Sequence, residues 1–179
     1  MSGQSGLSAF YQAVVEENDA RVRELAGAGE RVAWEGEPFD DSALHLAAAK
    51  GRADTVQVLL RAGGAAFVNA FSQLHETPLG AAARNGHAAA ASVLLDAGAE
   101  IDAHDQAAVG NTPLAEAVDA GAEEVVMLLL RGGADPTISG WMGLNAVQRA
   151  EARYRKDGSE AARRIFDAVR SAARKSPRG

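Results

Sequence analysis

Thr77-Pro78-Leu79-Gly80-Ala81-Ala82-Ala83 is the stretch whose reading decides the fold. Thr is a good helix N-cap, and Pro at the first helical position loses nothing, because its N–H would be orphaned there anyway. Leu and Ala then recur at helical spacing. Thr112-Pro113-Leu114-Ala115-Glu116-Ala117 repeats the pattern 35 residues later, and Ser42-Ala43-Leu44-His45-Leu46-Ala47-Ala48 precedes it by 35. Working outward, Gly51, Gly86 and Gly121 each stand nine residues after the opening Ser or Thr. The pairs Leu59-Leu60, Leu94-Leu95 and Leu129-Leu130 follow in register, and Gly63, Gly98 and Gly133 close each unit. The mid-unit Gly suits the left-handed position that ends a helix, where a Cβ is costly. A second helix then carries the Leu pair back onto the first. One such helix pair is too small to bury its own apolar face, so neighbouring copies must stack.

These residues resemble the ankyrin repeat. The Thr-Pro-Leu-His-x-Ala opening, the mid-repeat Gly and the Leu-Leu-x-x-Gly-Ala-Asp ending are its hallmarks, and Gly98-Ala99-Glu100-Ile101-Asp102-Ala103 and Gly133-Ala134-Asp135-Pro136 match that ending. The resemblance spans roughly residues 7–150, with the central matches between 42 and 136. It implies an all-α ankyrin-repeat solenoid, with three good repeats flanked by degenerate N- and C-terminal capping helix pairs. The expected layout is a single domain over 1–179. Its N-terminal cap lies at 7–29, its repeats at about 42–63, 77–98 and 112–133, and its C-terminal cap at 142–175.

Both ends carry the caps' degeneracy. Phe10, Ala13, Leu25 and Gly29 align with Leu44, Ala47, Leu59 and Gly63 at an offset of 34, with Glu17 where the mid-repeat Gly would be. At the other end Leu144-Asn145-Ala146-Val147 echoes the opening, with Met142-Gly143 in place of Thr-Pro. A helix to about Lys156, a break at Gly158 and a last helix from Ser159 to about Lys175 should follow. The opening His survives as His45 alone; Gly80, Ala115 and Asn145 replace it. The Gly two residues before the opening Thr is present as Gly110 and Gly140, while Asp40 and His75 hold that place elsewhere, both residue types that tolerate positive φ.

The composition agrees. Apolar residues make up 47% of the chain, enough for a core, and only 5% are aromatic. A core built on Ala brings backbones close, as stacked short helices require, and does not suit a broad sheet. There is no Cys, which excludes disulfides, thiolate metal sites and Cys nucleophiles. No secretory leader and no membrane span are expected, so the localisation expected is cytoplasmic. Only Lys50, Lys156 and Lys175 represent lysine, an Ala/Arg-rich usage that points to a GC-rich, bacterial genome.

Charge is unevenly spread. Residues 149–179 hold 10 Lys/Arg against 4 Asp/Glu, a net +6, and the rest holds 8 against 20, a net −12. An acidic body repels phosphates, so nucleic acid is disfavoured as its partner. Catalysis is disfavoured too. No Gly-Lys-Ser/Thr and no Gly-x-Ser-x-Gly occurs, and Gly27-Ala28-Gly29 is a helix end rather than a dinucleotide loop. His45 and His87 hold framework positions. His75 and His104 lie in connecting fingers with no third ligand at matching spacing, so neither a metal nor a cofactor is expected.

What remains is recognition of a protein partner, one with a basic patch, by a monomer. Gly63 to Leu79 and Gly98 to Leu114 span 16 residues, and Gly133 to Leu144 only 11. Long fingers are where recognition lives, since loops vary on a fixed scaffold. Phe39, Phe71, Gln73, His75, His104, Gln106 and Trp141 are the finger and loop candidates. From the inner helices the resemblance adds Lys50, Arg84, Asn85 and Asp119. Phe67, Val68 and Trp34 read as packing residues. Two alternatives stand behind this reading: a basic C-terminal helix that binds nucleic acid or an anionic surface, and, further back, an enzyme.

Overall fold

The computed structural model describes residues 8–32, 41–105 and 110–175, and all regular secondary structure among these is helical. Ten α-helices form five pairs: α1 (Ala9–Val15) with α2 (Asp19–Gly27), α3 (Ala43–Ala49) with α4 (Ala53–Arg61), α5 (Pro78–Arg84) with α6 (Ala88–Asp96), α7 (Pro113–Ala120) with α8 (Glu123–Arg131), and α9 (Ala146–Asp157) with α10 (Glu160–Lys175). Inner helices α1, α3, α5, α7 and α9 stack on one another in that order, and outer helices α2, α4, α6, α8 and α10 do the same.

Every inner helix starts by one device. Ser8, Ser42, Thr77, Thr112 and Asn145 each accept the N–H of the third residue on through their side-chain oxygen. Such a cap contributes about 1 kcal/mol. Pro78 and Pro113 fill the first helical positions. Five residues after each cap comes a buried Ala: Ala13, Ala47, Ala82, Ala117 and Ala150. These let inner helices approach closely. Two residues after the first four caps, Phe10, Leu44, Leu79 and Leu114 are buried, and Leu25, Leu59, Leu94 and Leu129 answer them from the outer helices. Gly51, Gly86 and Gly121 have φ of +71°, +76° and +72°, and Glu17 adopts +56° at the same place in the first pair.

The end cap departs from the sequence expectation. The helix cap is Asn145, closed by a reciprocal bond with Gln148, so the opening motif begins three residues later than Met142-Gly143 would put it. Gln148, not Asn145, stands where His45 does. Leu144 is exposed rather than core. The last finger is correspondingly longer than 11 residues: Val147 takes the place of Leu79 and Leu114, 14 residues after Gly133. Gly143, with φ of +69°, takes the position two before the cap that His75 holds at +56°. Gly110 serves a different need from positive φ: a Cβ there would stand 2.8 Å from the His75 carbonyl oxygen.

Candidate binding face

Three fingers stand side by side at the starts of α5, α7 and α9. In the first, the Ser72 N–H donates to the Glu76 carbonyl (2.9 Å) and the His75 N–H to the Ser72 carbonyl (2.9 Å). In the second, the Gly110 N–H donates to the Asp105 carbonyl (2.8 Å), and in the third the Gly140 N–H donates to the Leu144 carbonyl (3.1 Å). His75 Nδ1 lies 3.0 Å from an Asp105 carboxylate oxygen, joining the first finger to the second. Asn111 joins the second to the third, its Oδ1 accepting the Trp141 N–H (3.0 Å).

Two ionic anchors hold the fingers to the inner helices. Glu76, buried just ahead of the Thr77 cap, takes a bidentate bond from Arg84 one helix length on, at 2.9 and 2.7 Å. Arg149, also buried, is four residues after the Asn145 cap. It donates to Asn111 Oδ1 (2.8 Å), to the Trp141 carbonyl (2.7 Å), to the Leu144 carbonyl (3.4 Å) and to the Asp119 carboxylate. Between the anchors lies Glu116. Burial pushes its carboxyl up, and the charges of Glu76 and Asp119 push it further; the Asn111 side-chain N–H (2.8 Å) and the Arg84 charge pull it down. The inner-helix side of the last three repeats is therefore a continuous polar strip with more acids than bases.

The residues singled out in the sequence fall on this strip with different freedom. Trp141 is 58% exposed beside Met142 at 70% and Leu144 at 36%, and Leu74 on the first finger is 63% exposed. Phe71 and His75 are half-buried and Gln73 is exposed. Arg84 and Asp119 are exposed but occupied by the anchors, and Asn85 turns back to donate to the Ala81 carbonyl (2.8 Å). Lys50 lies apart, 2.7 Å from Glu17 in the first pair. His104 is half-buried against its own turn, its Nδ1 3.0 Å from the Asp102 carbonyl. Phe39 and Gln106 lie outside the described residues, as does Trp34. Glu76, Asn111, Glu116 and Arg149 escaped the sequence reading. The Asn145-x-x-Gln148 box was the signal for the last of them, since it fixes the helix register that puts Arg149 inward.

A family model described as "Ankyrin repeats (3 copies)" matches residues 10–105 and, in an overlapping placement, 44–140. The chain belongs to the ankyrin-repeat family, whose members are generally protein–protein interaction modules and typically non-enzymatic scaffolds. Comparison with curated proteins finds no match. No helix among the described residues is long and apolar enough to cross a membrane.

Proposed function

We propose that the chain grips one folded protein partner with its fingertips and the exposed side of its inner helices, so that binding itself is the output: inhibiting, escorting or scaffolding. The observation that carries this reading is the third fingertip. Three large apolar side chains, Trp141, Met142 and Leu144, stand exposed on a loop that buried Arg149 holds at two carbonyls. Contiguous exposed apolar surface on a rigid mount is a mark of an interaction site. The net −12 of residues 1–148 favours a partner with a basic patch and a salt-sensitive on-rate. A small acidic protein of this kind suits an immunity protein or inhibitor of a basic enzyme in a bacterial cytoplasm.

Anionic-surface binding by α10 receives less support. On this helix Arg163 is paired with Asp167 and Arg164 with Glu123, and Arg170 lies over the Phe166 ring.

With the partner in hand, Trp141→Ala, Phe71→Ala and Arg84→Ala are compared with the outer-helix controls Gln57→Ala and Glu124→Ala. At least one of the first three should cost roughly 2 kcal/mol of binding or more. The controls should cost almost nothing. Loss confined to the controls would place binding on the other face.

A further inference from the structure

Where one helix pair meets the next, a side chain of the later pair crosses the end of the earlier inner helix. Arg52, the first residue of its outer-helix turn, lies over Glu17, donating to the Glu17 carbonyl (3.4 Å) and to the Asp19 carboxylate. His87, at the equivalent place 35 residues on, lies over Gly51 so closely that a Cβ on that glycine would sit 2.5 Å from the ring Nδ1. At the far end the Arg153 guanidinium covers Gly121 and donates to the Asp119 carbonyl (2.7 Å). Neither Arg52, whose guanidinium has no acceptor, nor His87 caps its own helix with its side chain, whereas Asn18 does.

One junction lacks its crossing. The residue equivalent to Arg52 and His87 in the next pair is Ala122, and it meets Gly86 with a methyl group alone, 3.5 Å from where a Cβ would be. Gly51 and Gly121 are half-buried under their crossings, while Gly86 is exposed. The Arg84 carbonyl, equivalent to the Asp119 carbonyl that Arg153 caps, accepts no bond among the described residues outside the helices. The end of a helix carries partial negative charge on such carbonyls. Of the three filled junctions, two hold a guanidinium and one an imidazole.

We propose that the Gly86–Ala122 notch is a receptor for an arginine side chain of the protein partner, which would lie flat on Gly86 and donate to the Arg84 carbonyl as Arg153 does to the Asp119 carbonyl of the repeat before it. Arg153 on Gly121 supplies the template for the ligand, Arg52 over Glu17 offers a second guanidinium at a like junction, and the acidic surface of repeats two and three, with Glu124 exposed nearby, favours a cation. The notch lies between Arg84-Asn85 and Asp119-Ala120, on the inner-helix ends that the proposed function uses, and it rests on that reading.

The notch can be tested without the partner. Nα-acetyl-L-arginine amide is titrated into ¹⁵N-labelled protein, with neutral Nα-acetyl-L-citrulline amide as control. The expected result is saturable shifts at the Gly86, His87 and Ala122 amides with the arginine compound alone. Ala122→Arg, which supplies the missing crossing from within, should abolish them while holding or raising the Tm. Should that variant misfold, Ala122→His replaces it, since the Gly51 junction already holds an imidazole. Absent shifts, shifts spread evenly over acidic residues, or shifts that persist in the filled variant overturn the notch. A failed notch leaves the fingertip reading standing, and loss of the fingertip reading in the alanine comparison leaves the notch measurable.

Discussion

The first and third fingers close with the same turn and hang from opposite charges. In each, the turn's first N–H returns to the carbonyl four residues on, at Ser72–Glu76 and Gly140–Leu144. Each holds one non-glycine residue in the left-handed region, His75 at +56° and Met142 at +61°. The first is anchored by a buried acid, Glu76, to Arg84 of its own repeat. The third is anchored by a buried base, Arg149, to Asn111 and Asp119 of the repeat before. The ion pair of the first finger lies within its repeat, although His45 of the repeat before and Asp105 of the second finger hold the finger's two ends. A finger tied across the interface is ordered only when the two repeats are stacked, so its apolar tip should report on the stacking itself.

The largest break in this comparison comes from Arg149→Ala. It removes four donated bonds at once and takes a buried guanidinium away from the Asn111 oxygen, the Trp141 and Leu144 carbonyls and the Asp119 carboxylate. Such a loss costs on the order of 3 kcal/mol, read by urea denaturation. Amide exchange at 140–144 should accelerate more than exchange at 72–76. A change under about 0.5 kcal/mol, the range of an ordinary surface substitution, would mean that Arg149 anchors nothing.

Glu76→Ala should cost less, on the order of 1–2 kcal/mol, because the partner it frees is a half-exposed guanidinium that water can serve. Here loosened exchange should stay within 70–77 and leave the third finger untouched. If both variants loosen both fingers equally, the two anchors form one network and the contrast drawn above fails.

A third difference concerns protons. At the root of the first finger, His45 donates from Nε2 to the Ala70 carbonyl (3.0 Å), and its Nδ1 accepts from the Ser42 N–H (3.3 Å) and hydroxyl (2.9 Å). Gln148 holds the same place at the root of the third. Burial pushes the His45 pKa below its ordinary value, the bond to Ala70 notwithstanding. The sign follows. The neutral ring is the native one, so its stability is fully present above the ordinary value of about 6.5 and is lost as pH falls toward the lower folded value. The Tm should fall between pH 7 and pH 5 more steeply in the native protein than in His45→Gln. Parallel curves would remove His45 as the cause.

The sequence made the repeats legible because their markers are local and each has one physical meaning: a cap, a left-handed Gly, a Leu pair at fixed distance. It misplaced the last helix start because Leu144 resembles a core Leu, and the side chain that decides otherwise is the Asn145 cap. The anchors were harder to see. Glu76 and Arg84 are eight residues apart, and Arg149 reaches Asn111 across 38, so neither pairing has a periodic signature. Phe71 and Arg84 were recognisable as finger and inner-helix residues, but whether a residue is free or tied is a matter of tertiary distance.

The smallest effect separates the fingers most sharply. Left-handed backbone costs a non-glycine residue about 1–2 kcal/mol, and glycine returns part of that as extra freedom in the unfolded chain. Met142→Gly should therefore stabilise the protein by roughly 0.5 kcal/mol, since the Met142 side chain is 70% exposed and has little packing to lose. His75→Gly relieves the same strain but removes the bond to Asp105, and should be neutral or destabilising. The pair of measurements reads what each strained residue is kept for. At His75 the strain is offset within the fold, by a tie to the next finger. At Met142 the described contacts offer no such return, and the strain turns an apolar side chain outward beside Trp141. A Met142→Gly variant that is more stable yet binds the partner more weakly would show a residue held in place by function. If it is less stable, Met142 packs within the finger, and the apolar tip is smaller than proposed.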